Sequence, residues 1–166
     1  CYVGPGHIKM IHGNGWMRKM GASGIYLPWS GLGHVDASYT RHQILFIAAH
    51  ELSHAHSITD EGEANLIAYL ALSRSQNPEL RFVAEFTLLR YLLTKENRST
   101  LPLEAQGWLD IIKENRDKYS SSISKVGMSM NNLYLKTMGV KSGINSYGSL
   151  PNLVYAFENR TDSDTE

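Results

Sequence analysis

The sequence predicts a mainly α domain of the α+β class, with a small N-terminal strand hairpin packed on a bundle of helices. Three observations carry this reading. Residues 1–40 are crowded with Gly and aromatic residues, as in HGNG and GASGIYLPWSGLG, and punctuation of that density excludes long helices there. From residue 40 onward, apolar residues recur at helical spacing. The length of 166 residues suits one domain with one sizeable core.

The elements follow in chain order. Gly24 to Leu27 and His34 to Ser38 read as short strands, joined by Pro28-Trp29-Ser30-Gly31-Leu32-Gly33 in a loose hairpin. Residues 40–56 place apolar side chains at 44, 45, 48, 52 and 55, a helical stripe. A second helix is expected from Glu61 to Ser75. Asn77-Pro78 pairs a capping residue with an N1 proline and opens a third, to about Thr94. Leu101-Pro102 opens a fourth, to about Lys118. A fifth covers Ser122 to Met138 and stops at Gly139, a natural C-terminal glycine. A loop from Val140 to Ser146 precedes a last short helix over 149–158. Residues 1–160 make the single domain, and the polar tail 161–166 is expected to be disordered.

Composition removes several functions. Lys plus Arg equals Asp plus Glu at 16 each, so no charge excess favours nucleic acid or an anionic membrane surface. The only cysteine is Cys1, which excludes an intramolecular disulfide and a cysteine-based zinc site. No apolar run reaches the roughly 18 residues of a membrane span. The chain begins with Cys1 rather than Met, and the expectation is a piece of a longer protein.

The chemistry gathers in His50-Glu51-Leu52-Ser53-His54. On a helix, histidines four apart share one face, one turn apart. Two neutral imidazoles so placed can chelate one zinc ion at about 2.0–2.1 Å each. Glu51 lies roughly 100° round the helix from His50. Its carboxylate stands beside the metal, where it can accept a proton from water. The three residues are expected to form one polar edge, opposite the apolar stripe.

A catalytic zinc takes a third protein ligand and keeps one open position. Asp60, Glu61 and Glu63 follow closely, after a turn at Ser57-Ile58-Thr59-Asp60. Asp60 and Glu63 have the spacing of a capping box, with Asp60 as N-cap and Glu63 at N3. That leaves Glu61 as the leading candidate, with Glu63 and Asp60 still open. Asn65, four residues after Glu61, shares its face and could hydrogen-bond a ligand histidine. His56 follows His54 too closely to point the same way. His7, His12 and His42 have no ligand spacing and are expected at the surface. Tyr91 and Trp108 fall on helical stripes and are expected in the core. Arg90 is a candidate partner for a carboxylate.

These residues carry a family resemblance. His50-Glu51-Leu52-Ser53-His54, then Glu61-Gly62-Glu63-Ala64-Asn65 and the apolar run to Leu70, resembles a bacterial family catalogued as domain of unknown function 3810. Ser23 to Trp29, Asn132 to Lys136 and Ser146-Tyr147-Gly148 extend the resemblance across most of the chain. The family generally has glycine at Ser57 and an acidic residue at Gly62. The resemblance implies a gluzincin-like zinc metallopeptidase on a zincin-type helical bundle. It also implies attachment to N-terminal transmembrane helices outside this sequence, with the domain extracytoplasmic. Glu61 and Asn65 fit the gluzincin register for third ligand and supporting partner.

The expected reaction is hydrolysis of peptide or protein substrates by zinc-activated water, with Glu51 as general base. Tyr147, in a late Gly/Ser-rich loop, is the candidate oxyanion donor, ahead of Lys141 and His34. By analogy with gluzincins, His34 to Ser38 is expected as an edge strand lining the cleft and pairing with extended substrate. The competing expectation is a zinc-stabilised interaction or sensor domain of a membrane protein without turnover. That alternative predicts a plugged cleft or a fourth protein ligand, from His56 or an N-terminal histidine.

Overall fold

The structure is a computed structural model. It describes residues 6–94, 96–119 and 149–163. The chain is mainly helical with one small sheet, as the sequence predicts. Its elements are β1 (His7–Ile11), α1 (Trp16–Lys19), β2 (Gly24–Leu27), β3 (Leu32–Asp36), α2 (Arg41–Ala55), α3 (Glu61–Ser73), α4 (Pro78–Leu92), α5 (Leu103–Tyr119) and α6 (Leu150–Ser163). The predicted fifth helix, its stop at Gly139, and Lys141 and Tyr147 lie outside the described residues.

The hairpin forms, with its second strand two residues earlier than expected. β2 runs antiparallel to β3, with Gly24 opposite Val35 and Leu27 opposite Leu32. A strand that the sequence reading missed, β1, pairs parallel to β3 on its other side, with His7 opposite Leu32 and Ile11 opposite Asp36. The sheet order is β1-β3-β2, so β3 is the central strand. This corrects the edge-strand expectation: both backbone edges of β3 are occupied, and it has none to offer a substrate.

Asp36 closes β3. Its buried carboxylate accepts the Arg18 N–H at 3.1 Å and the Ser38 N–H at 2.9 Å, which fixes the turn into α2. Helix α2 then packs on β2 and β3 with one side and on α3 and α4 with the other. The hydrophobic core lies on the second side, among Phe46, Tyr69, Leu72, Val83, Leu150 and Val154. His50 and Glu51 are buried, at 8% and 4% exposure, whereas positions 44, 45, 48 and 52 of the apolar stripe are half-buried. With layers on two sides, α2 turns this polar edge inside.

Helix α3 shows the expected one-sided pattern, burying Glu61, Ala64, Asn65, Ala68, Tyr69 and Leu72. Helix α4 starts where Asn77-Pro78 predicts, with the Asn77 side chain accepting the Glu79 N–H at 2.9 Å. Helix α5 buries no residue fully, and its Asn115 side chain donates to the Ser38 carbonyl at 2.8 Å. His42 is half-buried, edge-on to Phe82 and Trp108 at centroid distances of 5.2 and 4.6 Å, and is not a plain surface residue. His7 and His12 are exposed as expected. Helix α6 runs five residues beyond the predicted end at 158 and takes in the first residues assigned to the tail.

Candidate metal centre

The first half of the site is made by the two ends of α2. At its start, the Gln43 side-chain oxygen accepts from the Thr40 N–H at 3.3 Å and the Thr40 hydroxyl at 3.0 Å. At its end, Ser57 N–H reaches the His54 carbonyl at 3.0 Å and Ile58 N–H the Ser53 carbonyl at 3.3 Å. This is the Schellman pattern, and it sets Ser57 at φ 67° in the left-handed region. The turn brings the Ile58 carbonyl back over the helix, where His54 Nδ1–H donates to it at 2.6 Å.

The second half comes from the start of α3. The Asp60 side chain caps the helix, accepting from Gly62 N–H at 2.8 Å and Glu63 N–H at 3.0 Å. Asp60 is thereby committed, and Glu63 points to solvent. Glu61, the first residue of the helix, turns inward and is 9% exposed. Asn65, one turn later, is 3% exposed and accepts the His50 Nδ1–H at 3.0 Å.

Those two bonds decide what the histidines present to each other. A neutral imidazole carries one N–H. With Nδ1–H donated to Asn65 in one ring and to Ile58 in the other, both Nε2 atoms show lone pairs. They lie 3.1 Å apart. Glu61 Oε2 lies 3.0 Å from His50 Nε2 and 3.7 Å from His54 Nε2. This oxygen is buried and faces both rings. With both rings neutral in that tautomer, three electron-pair donors converge, an arrangement that a cation, whether a proton or a metal ion, resolves. A tetrahedral ion with bonds of about 2.0–2.1 Å, the zinc value, holds its ligand atoms about 3.3 Å apart. The spacings observed bracket that figure. His50, His54 and Glu61 thus lie close enough to bind a metal ion, and the cluster includes no fourth ligand among the described residues. His56, suspected as a fourth ligand, is exposed.

Charge supports the cluster. Burial alone would raise the Glu61 carboxyl, but without a metal the hydrogen bonds and charge of protonated His50 and His54 hold it down at about 2, and a bound cation would take the place of those protons. Burial would lower the His54 pKa, and the Glu61 carboxylate and the Ile58 carbonyl outweigh it and raise it. Glu51 behaves oppositely: burial pushes its carboxyl up to about 7, despite the neighbouring histidines and a hydrogen bond from the Tyr26 N–H. That carboxylate lies beneath β2, where a Cβ on Gly24 would come within 2.4 Å of its Oε1. Gly24 is therefore what leaves it room.

Gly62, where the resembling family generally has an acid, has equally little space. A Cβ there would meet Ser149 Oγ at 2.6 Å, so the departure lets α6 start against α3. Tyr91, expected in the core, is 40% exposed and lines a cavity that reaches His50.

The family model described as Protein of unknown function (DUF3810) matches residues 2–155. No curated protein and no solved structure matches the chain. The chain belongs to the DUF3810 family. That description assigns neither metal nor reaction, and both are left to the chemistry of the site.

Proposed function

We propose that this domain is a zinc-dependent metallopeptidase, with His50, His54 and Glu61 as metal ligands and Glu51 as general base. One observation carries the reading: the Nε2 atoms of His50 and His54 and a buried Glu61 oxygen converge within 3.0–3.7 Å of one another, the spacing of ligands round one metal ion. Two nitrogens and one oxygen are a borderline donor set that suits zinc, and three protein ligands leave a fourth position for water or substrate. Zinc, when bound, acts as a Lewis acid that polarises a carbonyl and makes water acidic near neutral pH. The chain's own residues do the rest. Asn65 and the Ile58 carbonyl hold the two imidazoles in the tautomer that can bind metal. Glu61 contributes the negative charge. Glu51, with a pKa of about 7, is poised to accept a proton at its carboxylate and return it to the leaving amine.

Attachment to a membrane through segments outside this sequence, with the domain extracytoplasmic, belongs to the same proposal. It is supported by the resemblance described above. Among the described residues, no helix is long and apolar enough to cross a membrane.

One observation favours a second reading, a zinc-stabilised module without turnover: Glu51 is 4% exposed and its carboxylate is engaged by the Tyr26 N–H. Glu51→Gln separates the two. The peptidase reading expects unchanged zinc content and a fall in peptide cleavage of about 10²–10⁴-fold. Cleavage that continues at the wild-type rate would sink it.

A further inference from the structure

Beside the metal centre, between α2, α3 and α4, lies a cavity of about 280 Å³. His50 and Asn65 form one wall, Phe46 and Ile47 are apolar walls, and Arg90 and Tyr91 stand at the α4 side. Two donors facing it lack acceptors. Asn65 is 3% exposed, and its Nδ2 has no hydrogen-bond partner among the described residues. Arg90 is half-buried and meets no carboxylate among them, unlike its neighbours. Arg98 is paired with Asp110 at 2.6 Å and Arg116 with Asp117 at 3.5 Å.

Arg90 also lines a second cavity, with Arg98, Lys113 and Arg116. Burial holds its guanidinium below the ordinary range, and Arg116 adds to this against the effect of Tyr91. A partly desolvated guanidinium beside other cations is costly unless an anion joins it. The sequence marked Arg90 as a partner for a carboxylate, and the fold supplies none from the described chain.

We propose that this cavity binds the C-terminal residue of a peptide, with an apolar side chain against Phe46 and Ile47, the terminal carboxylate on Arg90 and a carbonyl oxygen on Asn65 Nδ2. An internal Asp or Glu would satisfy Arg90 but leave the apolar walls unfilled. A residue held this way has its amide end at the His50 wall. The inference rests on the peptidase reading for its biological meaning, since it makes the substrate class a free peptide C-terminus. Its binding chemistry can be tested without turnover.

The test is calorimetric titration with N-acetyl-L-phenylalanine and with its carboxamide, on the zinc-loaded protein and on the chelated, zinc-free protein. The acid is expected to bind about tenfold or more tighter than the amide in both forms. In Arg90→Gln the preference should vanish, with zinc content unchanged. Equal binding of the two probes, or no binding of either, would overturn the proposal. A preference that survives Arg90→Gln, or that disappears without zinc, would overturn it as well, because the metal itself would then be holding the carboxylate. If the Gln variant does not fold, Arg90→Lys replaces it: a bidentate fork becomes a point charge, and affinity for the acid should drop several-fold. Unchanged affinity there contradicts the proposal. Failure of peptide cleavage with intact acid preference would count against the peptidase reading alone.

Discussion

At the scale of single residues, the site depends on which nitrogen of each histidine is free. Asn65 and the Ile58 carbonyl make that choice by accepting the two Nδ1–H groups. Asn65→Ala removes the acceptor of the His50 Nδ1–H. Zinc affinity should fall by about 10–100-fold, read by competition against a chromogenic chelator. Asn65→Asp keeps an acceptor and should lose far less. Gly24 governs Glu51, the proposed general base, from across the sheet. In Gly24→Ala the new methyl meets the Glu51 carboxylate, so either β2 or Glu51 must shift. Stability should drop by about 1–3 kcal/mol in denaturant titrations, and cleavage should suffer while zinc is retained. Gly24→Ala with wild-type stability and rate would show that Glu51 does not rest where the structure puts it.

At the scale of elements, the turn between α2 and α3 makes the centre possible, since it returns the chain so that Glu61 faces His50 and His54. Its weak point is Ser57, an L-residue with a side chain in the left-handed region. Ser57→Gly should raise stability by about 1 kcal/mol, measured as a higher thermal midpoint of the metal-free protein. The resembling family's preference for glycine there has this physical reason. The same turn explains why the site was legible in the sequence. Asp60 and Asn77-Pro78 are strong local start signals, so the beginnings of α3 and α4 could be read directly. Once Asp60 was committed to the cap, Glu61 led among three acids. Non-local pairing was not legible. β1 is five residues long, and its parallel partner β3 lies more than twenty residues on. The edge-strand expectation for β3 came from analogy with gluzincins, and β1 overturns it. That Arg90 meets no carboxylate among the described residues is a matter of tertiary placement, which no spacing encodes.

At the scale of the whole molecule, the metal centre joins α2 to α3 below the sheet, so metal and folding should be linked. Saturating zinc is expected to stabilise the fold by about 4 kcal/mol at a free concentration 1,000 times Kd, seen as a higher thermal midpoint that chelator reverses. Acid should undo this in a definite order. The Glu61 carboxyl lies below its ordinary 4.5, at about 2. Its contribution is therefore complete above 4.5 and is lost only as pH falls toward 2. A proton competes for His54 well before that, since the Glu61 carboxylate and the Ile58 carbonyl outweigh burial and raise its pKa. Zinc should leave as pH drops below roughly 6, with Glu61 still ionised. The most direct test of the account is elemental analysis of protein purified without a metal-affinity step, alongside a Glu61→Ala variant handled identically. The account predicts about one zinc per wild-type chain and a clear loss in the variant. Less than a tenth of an equivalent in the wild-type protein, or full zinc retention without Glu61, would contradict it.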